Sequence, residues 1–197
     1  APYHIIAEIR NPQNVEITQI VGKNELEIVQ TGDIISRIIA QTCRQSGLSV
    51  VYTELLDFGG DEIYIKRFPE FTGKTYSEVL GLFNKNAVMG ISQEGKPAQL
   101  NPASDYVITN SDDLILIAED DDKIYADGKF IPQEDLIVHT TAINAKPEAT
   151  ILMGWNWKGS RIIRELDNYV PAGSTLAVVA SGEQPGSIIQ RISPELI

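Results

Sequence analysis

Apolar and polar positions change their spacing several times along this 197-residue chain, and each change marks a new element. The opening run Tyr3-His4-Ile5-Ile6-Ala7-Glu8-Ile9 is short, rich in isoleucine and closed by Arg10-Asn11-Pro12. That pattern predicts a buried strand that stops at a proline turn. Asn11 suits a helix N-cap with Pro12 at the first helical position, and Val15, Ile17, Ile20 and Val21 give a short helix that Gly22 ends. Asn24 to Gln30 reads as a second strand. Residues 31–47 form the clearest helix of the front half. Ile34, Ile35, Ile38, Ile39 and Cys43 fall on one face, Arg37, Gln41 and Arg44 on the other, and Gly47 closes it. Alternating strand and helix predicts an α/β unit with a parallel sheet. These units are too few to complete such a sheet, so this stretch is expected to be the end of a larger domain.

A short helix is expected over residues 50–58, followed by a hinge at Gly59-Gly60, and then the texture changes. Residues 62–68 alternate as a strand does. A turn and a helix follow, with Tyr76, Val79, Leu80 and Phe83 facing inward. Residues 87–92 supply a strand, residues 95–102 a turn, and residues 105–109 and 112–119 two more strands separated by Asn110-Ser111-Asp112. The sum is a β-α-β-β-β unit of the α+β kind. An acidic and then irregular stretch comes next, in which residues 135–141 read as a strand. Residues 150–156 form a strand, residues 159–170 a helix with Ile162, Ile163, Leu166 and Val170 on one face, and residues 174–181 a second strand. That is a β-α-β start. The expected layout is therefore α/β plus α+β: residues 1–58, 59–122, a linker over 123–148, and a second α/β unit over 149–197.

Composition narrows the function classes. Apolar residues make up 43% of the chain and charged residues 22%, ordinary for a folded domain. No run of about eighteen apolar residues occurs, so nothing in the chain is expected to span a bilayer by itself. With 27 acidic against 16 basic residues the net charge is -11. Such a field repels phosphate backbones and anionic headgroups, which argues against nucleic acid as a partner. One cysteine allows no internal disulfide and suits a reducing compartment.

Several residue groups carry candidate chemistry. Glu119, Asp120, Asp121 and Asp122 offer consecutive hard oxygen donors, as calcium requires, although their spacing is not that of an EF-hand loop. A solvated turn explains the same run equally simply. Asp57, Asp61 and Glu62 at the hinge form a second acidic group. Gly154-Trp155-Asn156-Trp157-Lys158-Gly159 stands where a dinucleotide fold places its glycine-rich loop, but Asn156 replaces the second glycine, so no nucleotide is expected there. The paired isoleucines Ile34, Ile35, Ile38 and Ile39 make a face wide enough either to cover the chain's own sheet or to meet a second copy. His4 and His139 stand alone beside apolar runs and are expected to pack. Cys43 is expected to pack as well, Asp112 and Asp113 read as turn residues, and no activated nucleophile is apparent.

The blocks around Thr72-Gly73-Lys74-Thr75-Tyr76, residues 87–92 and residues 100–120 resemble the C-lobe of RCK domains, the TrkA C-terminal fold. Residues 50–80, 100–122 and 151–174 together resemble the CASTOR/POLLUX channel family more specifically, in the same order, over most of the chain. The resemblance implies the end of a Rossmann-like RCK N-lobe with its crossover helix over about residues 31–47, a complete C-lobe, and the start of a second Rossmann-like lobe. It further implies a non-enzymatic gating ring on the soluble, cytoplasmic side of a membrane, assembled as a homo-oligomer through the crossover helix. The ring would sit below a pore formed upstream on the same protein, and calcium would regulate it. A TrkA-like ligand-binding subunit of a potassium transporter is the other reading the resemblance allows.

Overall fold

The computed structural model describes residues 5–129, 136, 138, 145–181 and 184–193. The chain divides into two compact units, one made of Ala1–Ser49 with Ala142–Ile197 and the other of Val50–Thr141.

In the first unit, strands β1 (Ile5–Glu8) and β2 (Leu26–Val29) pair in parallel with Ile5 opposite Leu26, and the crossover carries helix α1 (Val15–Gly22). The proline turn behaves as its residues predict: Asn11 Oδ1 accepts from the Gln13 amide, although a short 3-10 turn over Pro12–Asn14 precedes the α-helix. At Gly22 a Cβ would stand 2.3 Å from the Leu26 side chain, so only glycine allows the chain to turn back into β2. Helix α2 (Thr31–Arg44) follows directly. In the later part of the unit, β7 (Ala149–Met153) and β8 (Thr175–Val179) repeat the arrangement, parallel and linked by α5 (Gly159–Asp167), with α6 (Gln184–Ile192) after them. Ile162 and Leu166 of α5 join Ala40 of α2 in a small core completed by Leu152 and Leu176.

Helix α2 separates the two readings its isoleucines allow, because its own unit packs on the other side of the helix. Its buried residues are Gly32, Ser36 and Ala40, not the isoleucines. Small side chains at successive turns let two helix backbones approach closely, and α5 takes that face. Cys43, expected to pack, is exposed near the end of the helix.

The second unit starts within α3 (Leu48–Leu56) and builds a four-stranded antiparallel sheet in the order β3 (Glu62–Arg67), β6 (Asp113–Ala118), β4 (Ala87–Ser92), β5 (Gln99–Leu100). Helix α4 (Tyr76–Leu80) covers one face. Thr75 accepts from the Glu78 amide while Glu78 accepts from the Thr75 amide, a reciprocal cap that starts a helix of only five residues. Beneath it lie Tyr76, Val79, Leu114 and Leu116, with Phe68, Phe71 and Phe83 in mutual ring contact at 5.1–5.9 Å. Burial of this cluster, at about 1.5–3 kcal/mol for each large side chain, is the main force holding the unit together.

Two expectations are corrected here. Leu80 is 42% exposed rather than inward, because α4 ends there. Residues 105–109 do not enter the sheet. Tyr106 and Ile108 instead pair with the turn before α4, where the Tyr76 amide donates to Tyr106 O at 2.7 Å and the Gly73 amide to Ile108 O at 2.8 Å. The strand expected there is supplied by Gln99–Leu100, and Asn101 at φ 47° turns the chain away after it. The β-α-β-β-β order is retained. Beyond β6 the chain folds back: Ile124 joins the core, and the Gly128 amide donates to Leu82 O at 2.8 Å. The strand expected over residues 135–141 and both histidines, His4 and His139, lie outside the described residues, apart from Leu136 and Val138 of that strand.

Candidate functional site

The two acidic groups separated in sequence meet at one end of the second unit. Antiparallel pairing sets Glu62 opposite Ala118, so Asp61 and Glu62 lie beside the point where Glu119 leaves the sheet. Asp120, Asp121 and Asp122 then turn in a 3-10 segment, all exposed, with a carboxylate oxygen of each within 4.8 Å of the others. Asp120 Oδ1 also accepts from the Asp121 amide at 2.6 Å, which holds the turn open toward solvent. Glu119 contributes differently, pairing with Lys123 at 3.7 Å.

Two residues that the sequence did not single out define this corner. Tyr64 donates its hydroxyl to Glu62 at 2.9 Å. That hydrogen bond, with desolvation and the charges of Glu62, Asp120 and Asp121 behind it, pushes the phenol up to about 12. One hydroxyl thus feels carboxylates from both acidic groups. Lys66, two residues on and therefore on the same strand face, sets its Nζ 3.4 Å from the carbonyl oxygens of Asp121 and Ile124. Period-two alternation along β3 is the signal that could have linked Glu62, Tyr64 and Lys66. What it could not show is that β6 ends beside them.

Calcium takes six to eight oxygens at about 2.3–2.6 Å. Asp120, Asp121 and Asp122 supply three clustered carboxylates, so these three residues fit a surface cation with water completing its shell, while the Glu62 carboxylate is taken by the Tyr64 hydroxyl. Asp61 is exposed at the edge of this set, and Glu119 is turned to Lys123.

Asp112 takes a role its sequence did not suggest. Only 3% exposed, it accepts from the Thr109 amide at 2.7 Å, the Thr109 hydroxyl at 2.9 Å, Tyr106 and Gln93. Burial pushes its carboxyl up, but the Thr109 amide, Gln93, the Thr109 hydroxyl and Tyr106 outweigh that and hold it below the usual carboxylate range. It is a structural hub. Asp113 beside it forms a two-pronged pair with Arg67 across the strands, at 2.7 and 2.9 Å.

In the first unit, Ile34, Ile35 and Ile39 are 49%, 40% and 39% exposed and Ile38 is half-buried. They present an apolar face on the side of α2 away from α5. The loop after β7 is tight. Gly154 sits at φ 87°, Trp155 packs on Gly159, and the Asn156 side chain accepts from the Lys158 amide at 2.8 Å. That amide would be a phosphate donor in a glycine-rich loop. Trp157 remains 58% exposed with Lys158 Nζ 4.6 Å from its ring centroid.

Among the described residues no helix is long and apolar enough to cross a membrane. The fold is a mixed α/β arrangement like that of a solved gating-ring structure. The structure of the human SLO3 gating ring matches it with a TM-score of 0.61 at 15% identity, covering 95% of this chain and 47% of that one. A family model described as Castor and Pollux, part of voltage-gated ion channel, matches residues 32–134. The chain belongs to the Castor and Pollux family. It is 31% identical over 182 residues to the probable ion channel CASTOR of Oryza sativa subsp. japonica, and 31% identical over 178 residues to the probable ion channel POLLUX of Arabidopsis thaliana. Each alignment covers 88% of this chain but only 20% and 21% of those relatives, so the chain spans about a fifth of their length.

Proposed function

We propose that this chain is a non-enzymatic gating-ring segment of a cation channel, which binds calcium at the acidic end of β3 and β6 and passes the change to a pore through assembly with further copies of itself. The observation that carries the reading is the cluster of Asp120, Asp121 and Asp122 carboxylates, beside the strand that carries Glu62, in a chain of this family. Calcium would neutralise a corner where like charges crowd, and it would compete with Lys66 for the carbonyl oxygens of the same turn. Binding that favours one arrangement of this turn shifts the population of any two-state element coupled to it. A nucleotide is no part of the proposal, since Asn156 takes the amide that a phosphate would need.

Assembly is supported by surfaces the chain leaves uncovered. Helix α3 carries Leu48, Val50, Val51, Leu55 and Leu56, yet none of its residues is fully buried, and Phe58 just beyond is 95% exposed. This surface and, separately, the isoleucine face of α2 each call for a partner, and a second copy offers the same surfaces in return. The soluble ring is placed on the cytoplasmic side of a membrane in this reading, below a pore elsewhere on the protein.

Calorimetric titration of the chain with calcium, using magnesium as the control, tests the proposal. Heat from calcium that the triple variant Asp120→Asn, Asp121→Asn, Asp122→Asn abolishes is the expected result. Absence of calcium heat in the parent chain would remove the sensing role.

A further inference from the structure

Helices α2 and α5 meet in a register that the charges on their flanks spell out. Asp33 pairs with Arg161 at 2.9 Å, Arg37 with Glu165 at 3.5 Å, and Gln41 Nε2 donates to the Tyr169 hydroxyl at 3.2 Å. Each step is four residues on both sides, so the two segments run parallel and contact once per turn. The order of signs reverses from the first contact to the second: acid on α2 with base on α5, then base on α2 with acid on α5.

That reversal has a consequence for sliding. Between the flanks the contact is smooth, made by Gly32, Ser36 and Ala40, and Ser36 returns its hydroxyl to Gly32 O at 2.7 Å, leaving no polar group to catch. A surface of small residues by itself tolerates displacement along the axis. A shift of α2 by one turn, about 5.4 Å, toward the C-terminal end of α5 would set Asp33 against Glu165. The opposite shift would set Arg37 against Arg161. Either slip exchanges attraction for repulsion between groups that are 21–63% exposed, and so only partly screened.

We infer that the alternating charges on α2 and α5 are a register lock, which makes the β1–β2 and β7–β8 strand pairs move as one body. At the far end, Arg44 reinforces it, reaching Glu148 at the start of β7 at 2.8 Å while its guanidinium lies 5.7 Å from the Tyr169 ring centroid. At the near end, Arg161 and Trp157 close over Gly32. A Cβ there would stand 2.4 Å from the Arg161 guanidinium and 2.8 Å from the Trp157 ring. Displacement applied to either strand pair is delivered to the other without slip, whichever ligand or partner applies it. The inference does not depend on calcium or on a pore.

The test uses spin labels on the native Cys43 of α2 and on Asn168→Cys at the exposed end of α5, with the distance between them read by pulsed electron resonance. The parent chain is expected to give one narrow distribution. Glu165→Arg opposes Arg37 in the observed register and attracts Asp33 in the slipped one, so it is expected to displace the distribution by about one helical turn, near 5 Å. Adding Arg37→Glu to Glu165→Arg leaves two pairs in the observed register against one in the slipped register but removes the alternation of signs, so it is expected to return the mean distance and raise the melting temperature above that of Glu165→Arg while keeping the distribution broader than the parent's. A Glu165→Arg distribution that superimposes on the parent's overturns the inference. So does a double variant that melts as low as Glu165→Arg, an outcome that decides the matter even where the single variant is too unstable to measure.

Discussion

Replacing Asp112 with alanine should be among the most damaging single changes in the second unit. The carboxylate receives hydrogen bonds from the Thr109 amide and hydroxyl, Tyr106 and Gln93, and the residue is 3% exposed. A hydrogen bond to a charged group contributes about 1.5–3 kcal/mol, and each buried donor left without an acceptor costs about 1–3 kcal/mol. Non-additivity within one network, and water entering at the partly exposed Thr109 and Gln93, reduce the simple sum. Roughly 3–5 kcal/mol of destabilisation is the expectation for Asp112→Ala, and about half of that for Asp112→Asn, which keeps one acceptor oxygen. Urea denaturation followed by the near-ultraviolet circular dichroism of the second unit's tyrosines measures it. The pH dependence supplies a sharper check. Because the folded carboxyl is held below its ordinary value, its stabilisation is fully present above the unfolded value of about 3.9 and is lost as pH falls through the lower folded value. The gap between parent and Asp112→Ala should therefore narrow in acid. A cost below about 1 kcal/mol, or a gap that stays constant down to the lowest pH at which the unit remains folded, would refute the assignment of Asp112 as a hub.

Leu116 is fully buried on β6 between β3 and β4, and Leu116→Ala should cost about 2–5 kcal/mol by leaving a cavity, seen as a lower urea midpoint with an unchanged slope. Tyr64 should remain protonated to about pH 12 in a spectrophotometric titration. Since its folded value is raised, the stabilisation it provides is present below the unfolded value of about 10 and declines as pH rises from there toward 12. Asp120→Asn with Asp121→Asn should move that titration downward, and an unmoved titration would show that the two carboxylates do not act on Tyr64.

The physical reason some features were legible in the sequence is that they are local. Asn11-Pro12 sets a turn through its own dihedral preferences, and Thr75 with Glu78, three residues apart, caps a helix. Strand alternation from Glu62 to Arg67 and the apolar run from Leu114 to Ala118 each report the surface on which those residues lie. The β-α-β-β-β order and the parallel strand pairs β1–β2 and β7–β8 follow from such signals, and so does the acidic run at residues 119–122; that the two pairs belong to one compact unit does not. Tertiary structure decided the rest. Ile34, Ile35, Ile38 and Ile39 have the apolar spacing of a core-facing helix, but a helix buries whichever face its neighbour can approach, and α5 approaches the small residues Gly32, Ser36 and Ala40. Asp112 resembles any turn aspartate until Gln93 and Tyr106, distant in sequence, converge on it. Glu62 and Asp120 become neighbours only through the antiparallel register of β3 and β6. Side-chain periodicity is written along the chain. Which faces meet, and in what register, depends on a partner surface tens of residues away.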